Sequence, residues 1–383
     1  MSRLFNMPPL IVSGEDALQA AGPLFARMGK KALVVSDPVM RDLGNVDRLA
    51  AVLDGHALAY SVFTGITGEP DDAMIAAGLA RYRREACDCL IALGGGSPID
   101  AMKAIALLAK SGGKPADHLG KPVTERLAPM AAVPTTAGTG SEATQFTIVT
   151  DTASQVKMLL QGPALIPGIA VLDPVFTLTA PPAVTAGTGL DALCHCLEAY
   201  TSVKAQALSD TFALSAAKRI FRNLRTVYAR PEDRAARAQM ALAATEAGIA
   251  FNNSSVTLIH GMSRPIGALF HVPHGLSNAL LMEVCLRHVA DAALDRFGEI
   301  ARACGFADPG QSDAAATGRL LDEIGTLCRD LKAPSLLEMG IDKAEFERRI
   351  PKMATDALAS GSPANTRMKL TRGDIEDLYR RLG

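Results

Sequence analysis

The 383-residue sequence has almost no net charge: 39 Lys and Arg stand against 40 Asp and Glu, leaving −1. It therefore offers no basic footprint for nucleic acid, and no polyanionic character that would call for a cationic partner. It also lacks an unbroken apolar run of the ~18 residues a membrane span requires. The start, Met1 to Pro9, has no apolar core of ~7–15 residues ahead of a small-residue cleavage site, so it does not read as a secretory signal. Seven cysteines are an odd set in a long chain that is 48% hydrophobic. That argues for reduced thiols in a cytoplasm and against a disulfide scaffold. At ~100–200 residues per domain the length suggests two domains. What remains is a soluble cytoplasmic globular protein, with an enzyme as the expectation.

Two halves follow different patterns. Up to about residue 175, short apolar runs alternate with helix-length segments. Leu10–Val12, Ala32–Ser36, Tyr60–Phe63, Cys89–Leu93, Met130–Val133, Phe146–Val149 and Ile169–Leu172 read as strands. Glu15–Met28, Pro38–Leu53, Asp71–Glu85 and Pro98–Lys110 read as helices between them. This alternation predicts a doubly wound, mostly parallel sheet. Beyond Pro181 and Pro182, Ala- and Leu-rich segments with helical spacing take over, including Leu208–Tyr228, Glu232–Ala250, Leu276–His288 and Asp313–Leu331. Adjacent prolines suit a boundary, because the first is held extended by the second. The expected organisation is an α/β domain over 1–181 and an all-helical domain over 182–383, with ligands in the crevice between them.

In the α/β half, Cys89–Leu93 runs into Gly94-Gly95-Gly96-Ser97-Pro98-Ile99-Asp100. A strand, three glycines and a helix start with proline at its first position suit a phosphate cradle, since bare glycines admit a diphosphate to free N–H groups at the positive end of a helix dipole. A plain strand-to-helix turn is the alternative. A second loop, Pro134-Thr135-Thr136-Ala137-Gly138-Thr139-Gly140-Ser141-Glu142, also follows a strand; its hydroxyls suit ribose, phosphate or substrate, or a polar surface. Asp37 closes the strand Ala32–Ser36, where a carboxylate would accept bonds from the adenosine ribose and repel a 2′-phosphate. Capping the following helix is its other reading.

Asp191 and His195 are spaced i, i+4, which puts carboxylate and imidazole on one helix face. Between His260 and His274 lie three of the seven histidines, His260, His271 and His274, with Arg264 among them. Pro265 and Pro273 interrupt a single helix through this stretch, so His260 is expected to end one helix and His274 to open another. One carboxylate with two or three imidazoles suits Fe²⁺ or Zn²⁺. Cys194 and Cys196 face apart on a helix and read as packing.

Taken together, Gly94-Gly-Gly-Ser-Pro-Ile-Asp100, Pro134-Thr-Thr-Ala-Gly-Thr-Gly-Ser-Glu142, Gly189-Leu-Asp-Ala-Leu-Cys-His195 and His260-x13-His274-Gly resemble the iron-dependent (group III) alcohol dehydrogenases, with a match running to at least residue 285. The resemblance implies a Rossmann-like dinucleotide-binding domain and an all-α domain in a dehydroquinate synthase-like architecture. It implies a metal held by Asp191, His195, His260 and His274. It places the diphosphate on Gly94, Gly95, Gly96 and Ser97, with Asp100 closing the same motif. Asp37 stands where members preferring NAD carry an aspartate, and Thr135, Thr136 and Lys157 match positions lining the cofactor. It also implies at least a dimer. One departure is informative: many members carry a second histidine four residues after the third ligand, where this chain has Arg264. His271 becomes a candidate proton relay, although the lost histidine's role does not transfer to it. Arg264 suggests an anionic group on the substrate, or else an interdomain or surface salt bridge.

The expected activity is hydride transfer between NAD(H) and a small primary alcohol or aldehyde, with Fe²⁺ or Zn²⁺ as Lewis acid for the substrate oxygen. Alternatives are a hydroxyacid–oxoacid transhydrogenase, a dehydroquinate synthase-like enzyme that recycles its NAD, and a nucleotide sensor without catalysis.

Overall fold

The structure, a computed structural model, describes residues 2–154 and 156–382. It divides into two compact units: Asn6–Ala180, and Pro181 onward together with the first residues through Phe5.

In the first unit the strands are β1 (Leu10–Ser13), β2 (Lys31–Val35), β3 (Ala59–Phe63), β4 (Cys89–Gly94), β5 (Met130–Pro134), β6 (Phe146–Asp151), β7 (Val156–Gln161) and β8 (Ile169–Leu172). The helices among them are α1 (Ala17–Phe25), α2 (Pro38–Asp42), α3 (Asn45–Gly55), α4 (Asp72–Arg84) and α5 (Gly96–Ser111). Six strands form a parallel sheet in the order β1-β8-β5-β4-β2-β3. Successive residues of a strand face opposite sides, and both sides are buried. Leu33, Val35, Leu90 and Ala92 pack toward Ile75, Leu79, Ile105 and Leu108 of α4 and α5. Ala32, Val34, Ile91 and Leu93 pack toward Leu18, Phe25, Leu49 and Leu53 of α1 and α3. Burial on two faces explains why these strands read as continuous apolar runs.

Three local expectations are corrected. Phe146–Val149 is a strand as expected, within β6, but it stands outside the parallel sheet and pairs antiparallel with β7 in a separate two-stranded sheet. β7 escapes a sequence reading because polar Lys157 and Gln161 interrupt its apolar residues. The segment Pro38–Leu53 is two helices, broken at Gly44, whose φ of 72° no helix accommodates. Helix α5 begins at Gly96, so Pro98 occupies its third position.

The second unit is helical: α6 (Pro182–Thr201), α7 (Ala207–Ala229), α8 (Arg234–Asn252), α9 (Leu258–Phe270), α10 (His274–Val289), α11 (Leu294–Cys304), α12 (Asp313–Asp330), α13 (Lys343–Ala359) and α14 (Arg372–Arg380). Helix α6 is buried on nearly every side from Thr185 onward, with α7, α8 and α10 packed around it. A helix buried all round belongs at the centre of a bundle. Small residues set how closely its neighbours approach. A Cβ on Gly189 would lie 2.2 Å from Leu224 of α7, and one on Gly275 would lie 2.4 Å from the carbonyl oxygen of Gly187. The start of α10 therefore rests directly on the backbone of α6. Gly275→Ala should push the two helices apart and cost about 1–3 kcal/mol, read as a lowered Tm; a variant melting with the wild type would contradict the close approach.

Candidate active site

Four side chains from three helices of the second unit converge. Asp191 and His195 lie one turn apart on α6, His260 in the first turn of α9, and His274 at the first position of α10. Their ligand atoms all lie within 4.8 Å of one another. Asp191 Oδ1 stands 3.8 Å from His195 Nε2 and 3.7 Å from Nε2 of both His260 and His274. These separations are too long for hydrogen bonds. Four acceptor-bearing atoms turned toward one another in a buried pocket are costly unless something positive lies among them. Ligands ~2.1 Å from one ion at tetrahedral angles stand roughly 3.4 Å apart, close to the spacing found, so the residues fit a single divalent cation. Burial alone would raise the Asp191 carboxyl; the three imidazoles, His195 foremost, hold it well below the usual carboxylate range. His274 is driven below the usual imidazole value, by burial first, and so stays neutral, the form that ligates a metal. His260 begins α9 instead of ending a helix, because α9 continues through Pro265 to Phe270 and forgoes only the bond that a residue-265 N–H would make.

A second layer holds these ligands in place. The buried carboxylate of Glu198 accepts from His260 Nδ1 at 2.6 Å through Oε2, and from Thr257 Oγ1 at 2.9 Å and Ile259 N at 2.6 Å through Oε1. With Nδ1 donating, the lone pair of Nε2 faces the cluster. Burial would raise Glu198, but His260 and the donors from Thr257 hold it down. Asn278, also buried, donates from Nδ2 to Asp191 Oδ1 at 2.7 Å, and the same nitrogen lies 3.2 and 3.3 Å from Nε2 of His260 and His274. Its Oδ1 has no hydrogen-bond partner among the described residues. The ring of Phe251 stacks on His195 at 4.3 Å, and His195 in turn stacks on His260 at 4.5 Å.

The first unit carries the dinucleotide candidates. Chain order along the sheet reverses beside β2, since β3 lies on one side of it and β4 on the other. Ligands bind at such switch points, beyond the carboxyl ends of the strands; Asp37 follows β2 there and Gly94–Ser97 follow β4. Gly94 has φ 156°, and a Cβ on it would lie 2.5 Å from the Pro98 ring and 3.2 Å from Asp37 Oδ2. Asp37 Oδ1 caps α2 by accepting from Met40 N at 2.9 Å, while Oδ2 faces the glycine turn, so capping leaves one oxygen over. Gly95 caps α5 with no side chain, leaving the first N–H groups of the helix to an anion. The threonine loop lies alongside: Thr135 N donates to Gly94 O at 3.0 Å, and a Cβ on Gly95 or Gly96 would meet Thr136 at 3.4 Å or Thr139 at 3.0 Å. Lys157, on β7, pairs with Glu69 at 2.5 Å. Asp100 is turned inward: its oxygens accept from Ser141 Oγ at 2.5 Å and Ile148 N at 3.0 Å.

The family model for iron-containing alcohol dehydrogenase matches residues 8–174, and that for the C-terminal domain of the same family matches 185–383. The chain belongs to the iron-containing alcohol dehydrogenases. Like its relatives, it is an NAD-dependent alcohol dehydrogenase of that type. It is 34% identical to 1,3-propanediol dehydrogenase of Klebsiella pneumoniae over 99% of this chain and 98% of that one. The crystal structure of a 1,3-propanediol oxidoreductase superposes with a TM-score of 0.96 at 33% identity, covering all of both chains. That of sulfoacetaldehyde reductase from Bifidobacterium kashiwanohense in complex with NAD+ does so with a TM-score of 0.88 at 27% identity, over 100% of this chain and 99% of the other.

Two further candidates lie outside the four-residue cluster. Arg264, one turn beyond His260 on α9, is half-buried; its Nη1 donates to Ser362 Oγ at 3.2 Å, and no carboxylate lies within ion-pair distance among the described residues. Burial lowers its guanidinium, with Glu198 opposing. His271 caps α9 in the left-handed conformation, φ 54°, with its side chain exposed. Glu198 and Asn278 escaped the sequence reading. Their spacing was visible, three residues after His195 and four after His274, but only the fold shows that they turn toward the ligands. Glu198→Gln in this dehydrogenase should weaken Fe²⁺ or Zn²⁺ binding by roughly 10–100-fold in a competition titration of the metal-stripped protein; unchanged affinity would remove Glu198 from the site.

Proposed function

We propose that the chain interconverts a small primary alcohol carrying an anionic group and its aldehyde, using NAD(H) and one Fe²⁺ or Zn²⁺ held by Asp191, His195, His260 and His274. The observation that carries this reading is the convergence of those four ligand atoms within 4.8 Å. A cation bound there would supply Lewis acidity toward the alcohol or carbonyl oxygen, and a bound dinucleotide would supply the hydride donor or acceptor. Glu198 keeps His260 in the tautomer that presents Nε2, and Asn278 steadies Asp191. Gly94, Gly95, Gly96 and Ser97 receive the diphosphate, Asp37 the adenosine ribose, and Thr135, Thr136 and Lys157 line the rest. His271, exposed three residues before His274, passes the alcohol proton to solvent.

Arg264 supports the anionic substrate. A half-buried guanidinium without an acidic partner among the described residues is poorly compensated, and a carboxylate, sulfonate or phosphonate would make the missing charge-assisted bonds. The solved sulfoacetaldehyde reductase is a relative named for a substrate with such a group. The same arginine favours, as a second reading, hydride exchange between a hydroxy acid and an oxo acid without release of NADH. The enzyme is taken to be cytoplasmic and a homodimer or higher oligomer, with a small-molecule partner only.

The test is NADH formation by protein stripped of metal and reloaded with Fe²⁺ or Zn²⁺, on neutral primary alcohols beside ω-hydroxy acids and phosphonates. Metal-dependent NADH formation is expected, and Arg264→Ala should lower kcat/KM about 10–100-fold for the anionic substrates only, the worth of a hydrogen bond to a charged group. An equal loss on neutral substrates would contradict the anionic reading. Hydride exchange without net NADH would favour the second one.

A further inference from the structure

Asn278 meets the ligand cluster differently from the other residues around it. It is 0% exposed and lies on α10 one turn beyond His274, so the helix that delivers that ligand delivers this amide as well. Its Nδ2 lies 2.7 Å from Asp191 Oδ1, 3.2 Å from His260 Nε2 and 3.3 Å from His274 Nε2. An ionised carboxylate only accepts, so the amide must turn its NH2 group toward the cluster and not its oxygen. The oxygen is left without a hydrogen-bond partner among the described residues. A buried amide oxygen without a donor is costly, so the contacts of Nδ2 outweigh that cost.

The three contacts are not alike. A carboxylate oxygen carries more than one lone pair, and Asp191 Oδ1 can accept from Nδ2 and still bind a cation. A neutral imidazole has a single acceptor nitrogen. In His260 that nitrogen is Nε2, because Nδ1 donates to Glu198. A cation bound to Nε2 of His260 and His274 takes the same lone pairs that the amide hydrogens approach. Amide and cation are therefore competitors at two of the four ligands. Glu198 acts in the opposite sense: by accepting from His260 it makes Nε2 a better ligand.

We propose that Asn278 tempers the metal affinity of the cluster: its amide holds Asp191, His260 and His274 together in the metal-free protein and yields the imidazole lone pairs when the cation enters. This rests on the reading that the four residues hold one divalent ion. An interaction made in only one of two states stabilises that state, and it lowers the affinity of any ligand that requires the other by the same factor. For a hydrogen bond to a neutral group that factor is about 3–10-fold. Asn278 is thus a positioning residue whose effect on the cation is opposite in sign to that of Glu198.

The experiment compares wild type with Asn278→Leu, close in size and without a donor, and with Asn278→Asp, which replaces the donor by an acceptor. Tm is measured with and without Zn²⁺, Zn²⁺ Kd by chelator competition on metal-stripped protein, and Zn²⁺ release from loaded protein into excess chelator. Asn278→Leu should lower the Tm of the metal-free protein and recover most of it on loading. It should bind Zn²⁺ about 3–10-fold more tightly than wild type and release it more slowly. Asn278→Asp should widen the gap between metal-free and loaded Tm further, since a second carboxylate beside Asp191 is repelled unless a cation lies between them. If a variant does not fold without metal, release from its loaded form decides: slower release than wild type upholds the proposal, and equal or faster release overturns it. Weaker or unchanged Zn²⁺ binding by Asn278→Leu would overturn it, because Asn278 would then support the ligands as Glu198 does or leave them untouched. So would an equal loss of Tm with and without Zn²⁺, which marks a packing role. If the wild type itself bound no Zn²⁺, the cation reading of the cluster would fail and this inference with it.

Discussion

Three imidazoles turned on one carboxylate inside a protein set acceptor lone pairs against one another away from water, and that conflict organises the helical unit. Asn278 Nδ2 relieves part of it by donating to Asp191 Oδ1, and a divalent cation among the four atoms would relieve the rest. Asp191 and His195 share a face of α6, the most deeply buried helix. His260 is delivered by the first turn of α9, where Glu198 also accepts from Thr257 and Ile259 N, so one carboxylate anchors both the ligand and the helix start. His274 reaches the group because Gly275 lets α10 touch the backbone of α6 at Gly187. Farther out, Tyr379 of α14 donates to the Met262 carbonyl at 2.6 Å and ties the C-terminal helix to α9 two residues past His260.

The sheet unit solves a different problem, holding two loops side by side. Parallel pairing of β4 with β5 sets Gly94 opposite Pro134, so the glycine turn and the threonine loop leave neighbouring strands at the same level. Below them Asp100 of α5 accepts from Ser141 of the second loop, and above them α5 presents uncapped N–H groups. The position of Asp37 beside Gly94 follows from strand order alone, because the chain reverses direction across the sheet at β2.

Much of this was legible in the sequence because local spacing encodes it. The i, i+4 pair Asp191 and His195, the histidines around Pro265 and Pro273, and the strand–glycine–helix pattern at Gly94 need no tertiary knowledge. What was not legible depends on packing. The hairpin strand Val156–Gln161 has no clean alternation and packs outside the main sheet. Pro265 looked like a helix break, but α9 tolerates it, and His260 moves from a helix end to a helix start. Asp100 sits in a motif read as cofactor-binding, yet its carboxylate faces inward to Ser141 and Ile148. Glu198 and Asn278 carry no signature beyond spacing, and only the folded chain shows that Arg264 has no acidic partner among the described residues.

The central claim is that Asp191, His195, His260 and His274 hold one divalent ion. Its most direct test is elemental analysis of the protein after equilibration with Fe²⁺ or Zn²⁺ and removal of free metal, for the wild type and for Asp191→Ala. The account predicts one bound ion per wild-type chain and almost none in a folded Asp191→Ala variant. A wild type without stoichiometric metal, or a variant that retains it, would contradict it.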